Sequence, residues 1–187
     1  MRYSTVRAAC VIGLLMPAAA AAQDEWARAD SAVRRLDPAA IPGLPDEVVR
    51  TLKTRGCTIP QAFGTVEPHN VVAGDFRGDG RVAWAALCSR ARISTILVIG
   101  GGDRGWIDSL GTAPDRDYLQ GMGYDRIAFS RQLSVVDSAF IWRQAHEFGG
   151  PPPAGPTHVG LQDSFLEKAS IIWYWHQGRW RKLQGVD

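Results

Sequence analysis

From residue 71 onward the chain is written in short runs of aliphatic and aromatic residues separated by turn formers. This texture restricts the fold more than any other feature. Residues 71–76, 82–88, 93–99, 106–110 and 133–142 are such runs, and 171–175 and 180–183 end the series. Each is short, rich in aliphatic and aromatic side chains and separated from the next by turn residues, so each is expected to be a strand. Gln177-Gly178 lies between the last two and is placed as a two-residue hairpin turn. Strands joined by turns this short pair antiparallel.

Ahead of the strands the period changes. Trp26, Ala29, Val33 and Leu36 recur at spacings of three and four, which predicts a helix over 23–36. Asp37-Pro38 and Ile41-Pro42-Gly43 break it. A second helix follows, with Pro45 at its first position and Asp46 and Glu47 against the positive end of its dipole. Leu44, Val48, Val49 and Leu52 give it one apolar face, Arg50, Lys53 and Arg55 load its last turns, and Gly56 stops it. The expected fold is α+β: mainly an antiparallel β-sheet with one or two N-terminal helices, in a single globular domain over 23–187. Residues 149–156 hold four prolines and three glycines. They cannot supply sheet hydrogen bonds and are expected to form an exposed loop, a connector or a surface that meets a partner.

Residues 1–22 begin with Arg2 and Arg7, continue as an apolar run and close on five alanines. That is the plan of a secretory signal peptide, with cleavage expected after Ala22. The run is shorter than the ~20 residues that span a bilayer. The mature chain is therefore expected to be periplasmic or secreted, with no membrane span after cleavage. The full sequence has 21 basic and 19 acidic residues. Loss of Arg2 and Arg7 balances them, so no electrostatic footprint for nucleic acid remains. Cys10 leaves with the leader. Cys57 and Cys88 remain in an oxidising compartment, where a disulfide between them is expected.

One segment carries a motif. Gly74-Asp75-Phe76-Arg77-Gly78-Asp79-Gly80 runs on through Arg81, Val82 and Ala83 to Ala85, and it resembles the FG-GAP calcium loop of integrin-like β-propellers and of exported bacterial proteins. The resemblance covers about a dozen residues and implies a strand–loop–strand unit. Loops of that kind converge alternate acidic oxygens on a hard cation. Asp75 and Asp79 match the first and third ligands, but Arg77 and Ala83 stand at the second and fourth. The loop is expected to keep its shape without its metal, held by charge between Asp75 and Arg77 or Arg81. No second copy of the segment is present, so the resemblance does not imply a propeller.

The remaining chemistry is sparse. His69, His146, His158 and His176 show no metal-ligand spacing, and no nucleophile elbow appears. No cofactor is implied. His158, Asp163 and Ser164 are the residues from which a hydrolytic site assembled only in three dimensions would be built. Trp173, Trp175 and Trp180 form the densest aromatic cluster, with Trp175 expected to face Trp180 across the hairpin. They offer either a platform for a sugar or peptide or a cross-strand pair in the core. His146, His158, Asp163, Trp173, Trp175 and Trp180 are therefore the candidate binding surface. The function expected is that of a non-catalytic exported protein binding an envelope protein or a glycan. A small secreted hydrolase centred on His158 and Asp163 is the alternative.

Overall fold

A computed structural model describes residues 18–101, 105–124, 126–148 and 158–185 of the 187. The expected signal segment up to residue 17 and the proline-rich stretch 149–156 lie outside the described residues. Helix α1 (Ala18–Ala32) leads to the two-residue strand β1 (Arg35–Leu36), a short 3-10 turn (Pro38–Ala40), helix α2 (Asp46–Thr54) and β2 (Ile59–Pro60), which pairs antiparallel with β1. The predicted helix over 23–36 thus stops four residues early. The cause is tertiary. Leu36 pairs with Ile59, and the Arg35 guanidinium is drawn to the buried Asp115, with Nη2 at 2.7 Å. A buried carboxylate demands a charged partner more strongly than helical periodicity demands another turn. Helix α2 keeps its expected place. Pro45 caps it instead of opening it, and the Pro45 carbonyl accepts from Val48 and Val49.

Two four-stranded antiparallel sheets follow, each a sequential meander. The first is β3 (Val71–Gly74), β4 (Ala83–Arg90), β5 (Ile93–Gly100) and β6 (Trp106–Pro114), in that order. A 3-10 turn (Asp115–Tyr118) and the small hairpin β7 (Leu119–Gly121) and β8 (Ile127–Phe129) connect it to the second. The second sheet comprises β9 (Arg131–Val136), β10 (Gly160–Phe165), β11 (Ala169–His176) and β12 (Arg179–Gly185), again in sequence order, with helix α3 (Ser138–Glu147) between β9 and β10. The described protein is therefore α+β and mostly antiparallel sheet. Helix α3 departs from the expectation that helices sit only at the N-terminal side. The run 133–142, read as one strand, changes state at Asp137, whose carboxylate accepts from the Phe140 amide at 2.7 Å and caps α3.

Strand alternation assigns the faces. In β4 and β5, Ala85, Leu87, Ile96 and Val98 point inward, while Ala86, Cys88, Leu97 and Ile99 pack with Val48 and Leu52 of α2. In the second sheet, Ile172, Tyr174 and Leu183 pack against Ile141 and Ala145 of α3. The opposite face sends Leu133, Leu161, Trp173 and Trp180 into the core shared with the first sheet. The two sheets thus lie against each other, with α2 covering one outer face and α3 the other.

The Cys57 and Cys88 sulfurs are at bonding distance, 2.01 Å. Cys57 follows α2 and Cys88 lies in β4, so the pair staples the helix region to the sheet it covers. The cross-link spans 31 residues, and a loop of that size is worth about 3.7 kcal/mol on the chain-entropy account. Reduction should lower the urea midpoint by that amount divided by the m-value. An unchanged midpoint in reductant would show that the staple contributes nothing.

Candidate functional site

The loop between β3 and β4 is built by Asp75. Its carboxylate accepts from the amides of Gly78, Asp79 and Gly80 at 2.8, 3.1 and 2.9 Å. Asp79 accepts from the Arg81 amide at 3.1 Å. The acidic side chains therefore organise the turn through backbone donors. Arg77 does not bridge to Asp75. Its guanidinium leaves the loop, lies 3.3 Å from the Trp106 ring centroid and 4.4 Å from that of Trp175, and donates to Asp108 at 2.7 Å. The expectation that Arg77 pairs with Asp75 is corrected accordingly. Arg77 stands where a second metal ligand is expected, and it brings its own cation to a different anion. Among the described residues no three His, Cys, Asp or Glu side chains gather as a metal site. Calcium chloride at 5 mM should shift Tm by less than about a degree. A rise of several degrees, as expected for a ligand at 100 times its Kd, and its reversal by chelator would show that the loop binds the ion.

The aromatic hairpin completes this cluster. Gln177 and Gly178 both have positive φ, 50° and 76°, as the predicted two-residue turn requires. The turn sets Trp175 opposite Trp180, with ring centroids 5.7 Å apart and nearly perpendicular. Trp180 donates its indole N–H to Asp108 at 2.8 Å, to the same oxygen that receives Arg77. Both tryptophans are half-buried. Gly100 makes room for Trp106: a Cβ there would lie 2.2 Å from the indole. Cross-strand stacking of an aromatic ring over glycine fills the space glycine leaves. His158 rests against Gly78 and bonds the Trp175 carbonyl at 2.8 Å. A carbonyl only accepts, so His158 Nε2 carries the proton.

The other end of the same sheet face is open. A cleft of about 720 Å³ is lined by Tyr118, Phe165, Ala169, Ile171, Lys182 and Gln184, with Asp117 and Asp163 beside them. That volume lies within the ~300–1,000 Å³ usual for small-ligand sites. Beneath it Arg131 and Asp163 form a bidentate pair, Nε to Oδ1 and Nη2 to Oδ2, both at 2.8 Å. Burial opposes the Arg131 charge, but the Asp163 carboxylate outweighs it and holds the guanidinium protonated. Arg131 also lies 4.5 Å from the Tyr118 ring centroid. Burial, with Asp163 nearby, pushes the Tyr118 hydroxyl above its ordinary pKa, so it stays a hydrogen-bond donor.

The structure thus gathers Trp175, Trp180 and His158 at one end and places Asp163 at the other. His158 and Asp163 take different partners. Ser164 points to the opposite face of β10 from Asp163, as alternation demands. Trp173 lies between the two ends, packed on the shared core, and its indole nitrogen is buried without a hydrogen-bond partner. His146 is remote on α3, where its ring lies 4.4 Å from that of the exposed Trp142. Sequence reasoning missed Trp106, Asp108, Tyr118, Arg131 and Lys182. Of these, only Asp108 had a readable signal, a lone acid at an inward position of a strand.

Fold and geometry together define an α+β protein of two packed meander sheets, with a tryptophan-lined cationic cluster at one end and a ligand-sized cleft at the other. Compared with known protein families, curated proteins and solved structures, the chain matches none.

Proposed function

We propose that this chain is an exported, non-catalytic binding protein and that the cleft beside Tyr118 receives its ligand. The observation that carries this reading is the lining itself. Apolar and aromatic walls from Phe165, Ile171 and Tyr118 stand beside a few polar groups, Asp117, Lys182 and Gln184. Such a mixture buries a ligand against apolar walls and orients it through a few placed polar groups. The groups that a hydrolase would need are committed elsewhere: Asp163 to Arg131 and His158 to the Trp175 carbonyl. Aromatic faces for C–H surface, with carboxylate, amide and ammonium groups for hydroxyls, suit a glycan of the cell envelope.

The leader-like segment, the Cys57–Cys88 pair and the lack, among the described residues, of a helix long and apolar enough to cross a membrane support an exported setting. The likeness of 74–85 to an FG-GAP loop fits a scaffold role for that segment. The test is a thermal-shift panel of envelope saccharides on the wild type and on Ala169→Trp, which fills the cleft. At least one saccharide should stabilise the wild type by several degrees and leave the variant unmoved. A saccharide that the wild type hydrolyses would establish the hydrolase instead. Equal shifts in both proteins would place binding outside the cleft.

A further inference from the structure

The geometry points to a second ligand site, independent of the cleft: Trp106, Trp175 and Asp108 form a seat for an alkylguanidinium group, closed here by the chain's own Arg77. Two indole faces and one carboxylate are the recognition set for a planar cation. The nearer indole lies at stacking distance, 3.3 Å. Asp108 receives the cation at 2.7 Å and is itself held in place by the Trp180 indole at 2.8 Å. The seat is prepared by residues outside it. Gly100 leaves the space for Trp106, and His158 fixes the Trp175 backbone.

The resident cation fits incompletely. Arg77 Nε is buried and has no hydrogen-bond partner. While Arg77 occupies the seat, that unsatisfied buried donor counts against its fit. A free guanidinium turns in its plane and is not bound to leave that edge empty. The backbone at Arg77 is also anchored by its neighbours and not by the Arg77 side chain. Phe76 is fully buried and anchors the backbone, and Asp75 closes the turn. The Arg77 side chain itself is 24% exposed, so rotation about its own bonds carries it to solvent. Arg77 is thus an internal competitor. A tethered group acts at an effective concentration in the millimolar range or above, and it sets a threshold that an external guanidinium must exceed.

The test uses the full chain and methylguanidinium chloride below 20 mM, read by Tm and by tryptophan emission. Arg77→Ala should bind methylguanidinium saturably and recover part of its lost Tm, and the wild type should bind at least tenfold more weakly. Sodium should not substitute, and tetramethylammonium, which keeps the cation–π attraction but donates nothing to Asp108, should bind more weakly than methylguanidinium. In the Arg77→Ala background, Asp108→Asn should weaken binding at least tenfold. Gly-Arg-Gly in place of methylguanidinium decides whether the seat takes an arginine side chain in a peptide or only a small guanidine. An Arg77→Ala protein indifferent to methylguanidinium overturns the inference. So does a wild type that binds it equally well, or an equal response to tetramethylammonium. If Arg77→Ala fails to fold, Arg77→Gln decides. A glutamine is shorter and uncharged and leaves Asp108 without a resident cation, so this variant should also gain methylguanidinium binding over the wild type, and no gain overturns the inference.

Discussion

Asp163→Ala should destabilise the protein by about 4 kcal/mol, seen as a fall in urea midpoint at unchanged m-value. Both side chains of the Arg131–Asp163 pair are essentially inaccessible, 0% and 1% exposed. Arg131 also donates to the carbonyls of Ser94, at 3.3 Å, and Gly111. Those carbonyls do not neutralise a guanidinium. Removing one partner of a buried pair strands a full charge in a poorly polarisable site, at about 3–5 kcal/mol. The isolated cost exceeds the worth of the pair, because forming it already required desolvating both ions. The double variant Arg131→Met with Asp163→Leu should therefore recover most of the loss. A single variant that loses under about 1 kcal/mol would mean that water reaches Arg131.

Asn70→Ala should cost about as much, near 4 kcal/mol, for a different reason. Asn70 is wholly buried, with φ of 68°. Its amide donates to the carbonyls of Pro60 and Arg131 at 2.7 and 3.0 Å, and its oxygen accepts from the Leu133 amide at 2.8 Å. One side chain thus joins β2, β9 and the start of β3. Alanine leaves those backbone groups buried without partners, at about 1–3 kcal/mol for each group left unsatisfied. It also keeps a Cβ in the left-handed region without the polar side chain that lets Asn tolerate it, at roughly 1–2 kcal/mol. Asn70→Gly separates the two terms, since it loses the hydrogen bonds but not the backbone ease. Its loss should be smaller than that of alanine by about the backbone term. Equal losses in the two variants would assign the whole effect to the hydrogen bonds.

Much of the first sheet was legible because its strands are consecutive and their turns are short. β4, β5 and the β11–β12 hairpin fall within two residues of the expected runs, and Trp175 faces Trp180 because a two-residue turn fixes the register. What escaped is set by partners far away in sequence. Helix α1 ends where it does because Arg35 answers Asp115, 80 residues on. The Asp137 cap was visible as a residue type, but the apolar run through it masked the change of state. The site divides in the same way. Asp75 and Asp79 were readable as a loop device. Arg77 was readable only as a ligand that is wrong for calcium, because nothing local in the chain announces Trp106 or Asp108 as its destination. Asp163 was singled out only as a candidate hydrolytic or binding residue beside His158 and Ser164, in a segment not read as a strand. Its tie to Arg131, 32 residues away, needed the register of β9 against β10.

The sequential meanders have a kinetic consequence. Every strand pair within either four-stranded sheet joins strands consecutive in the chain, through short turns except between β9 and β10, which α3 separates, so each sheet can close without waiting for the other. The bonds described between the two halves join residues far apart in the chain. The pairings of Asn70 with Arg131 and Leu133 cross 61 and 63 residues. Contacts of that reach are expected to form last, after the local pairings within each sheet. The destabilisation at Asn70 should be expressed almost entirely as faster unfolding, with the refolding rate nearly that of the wild type.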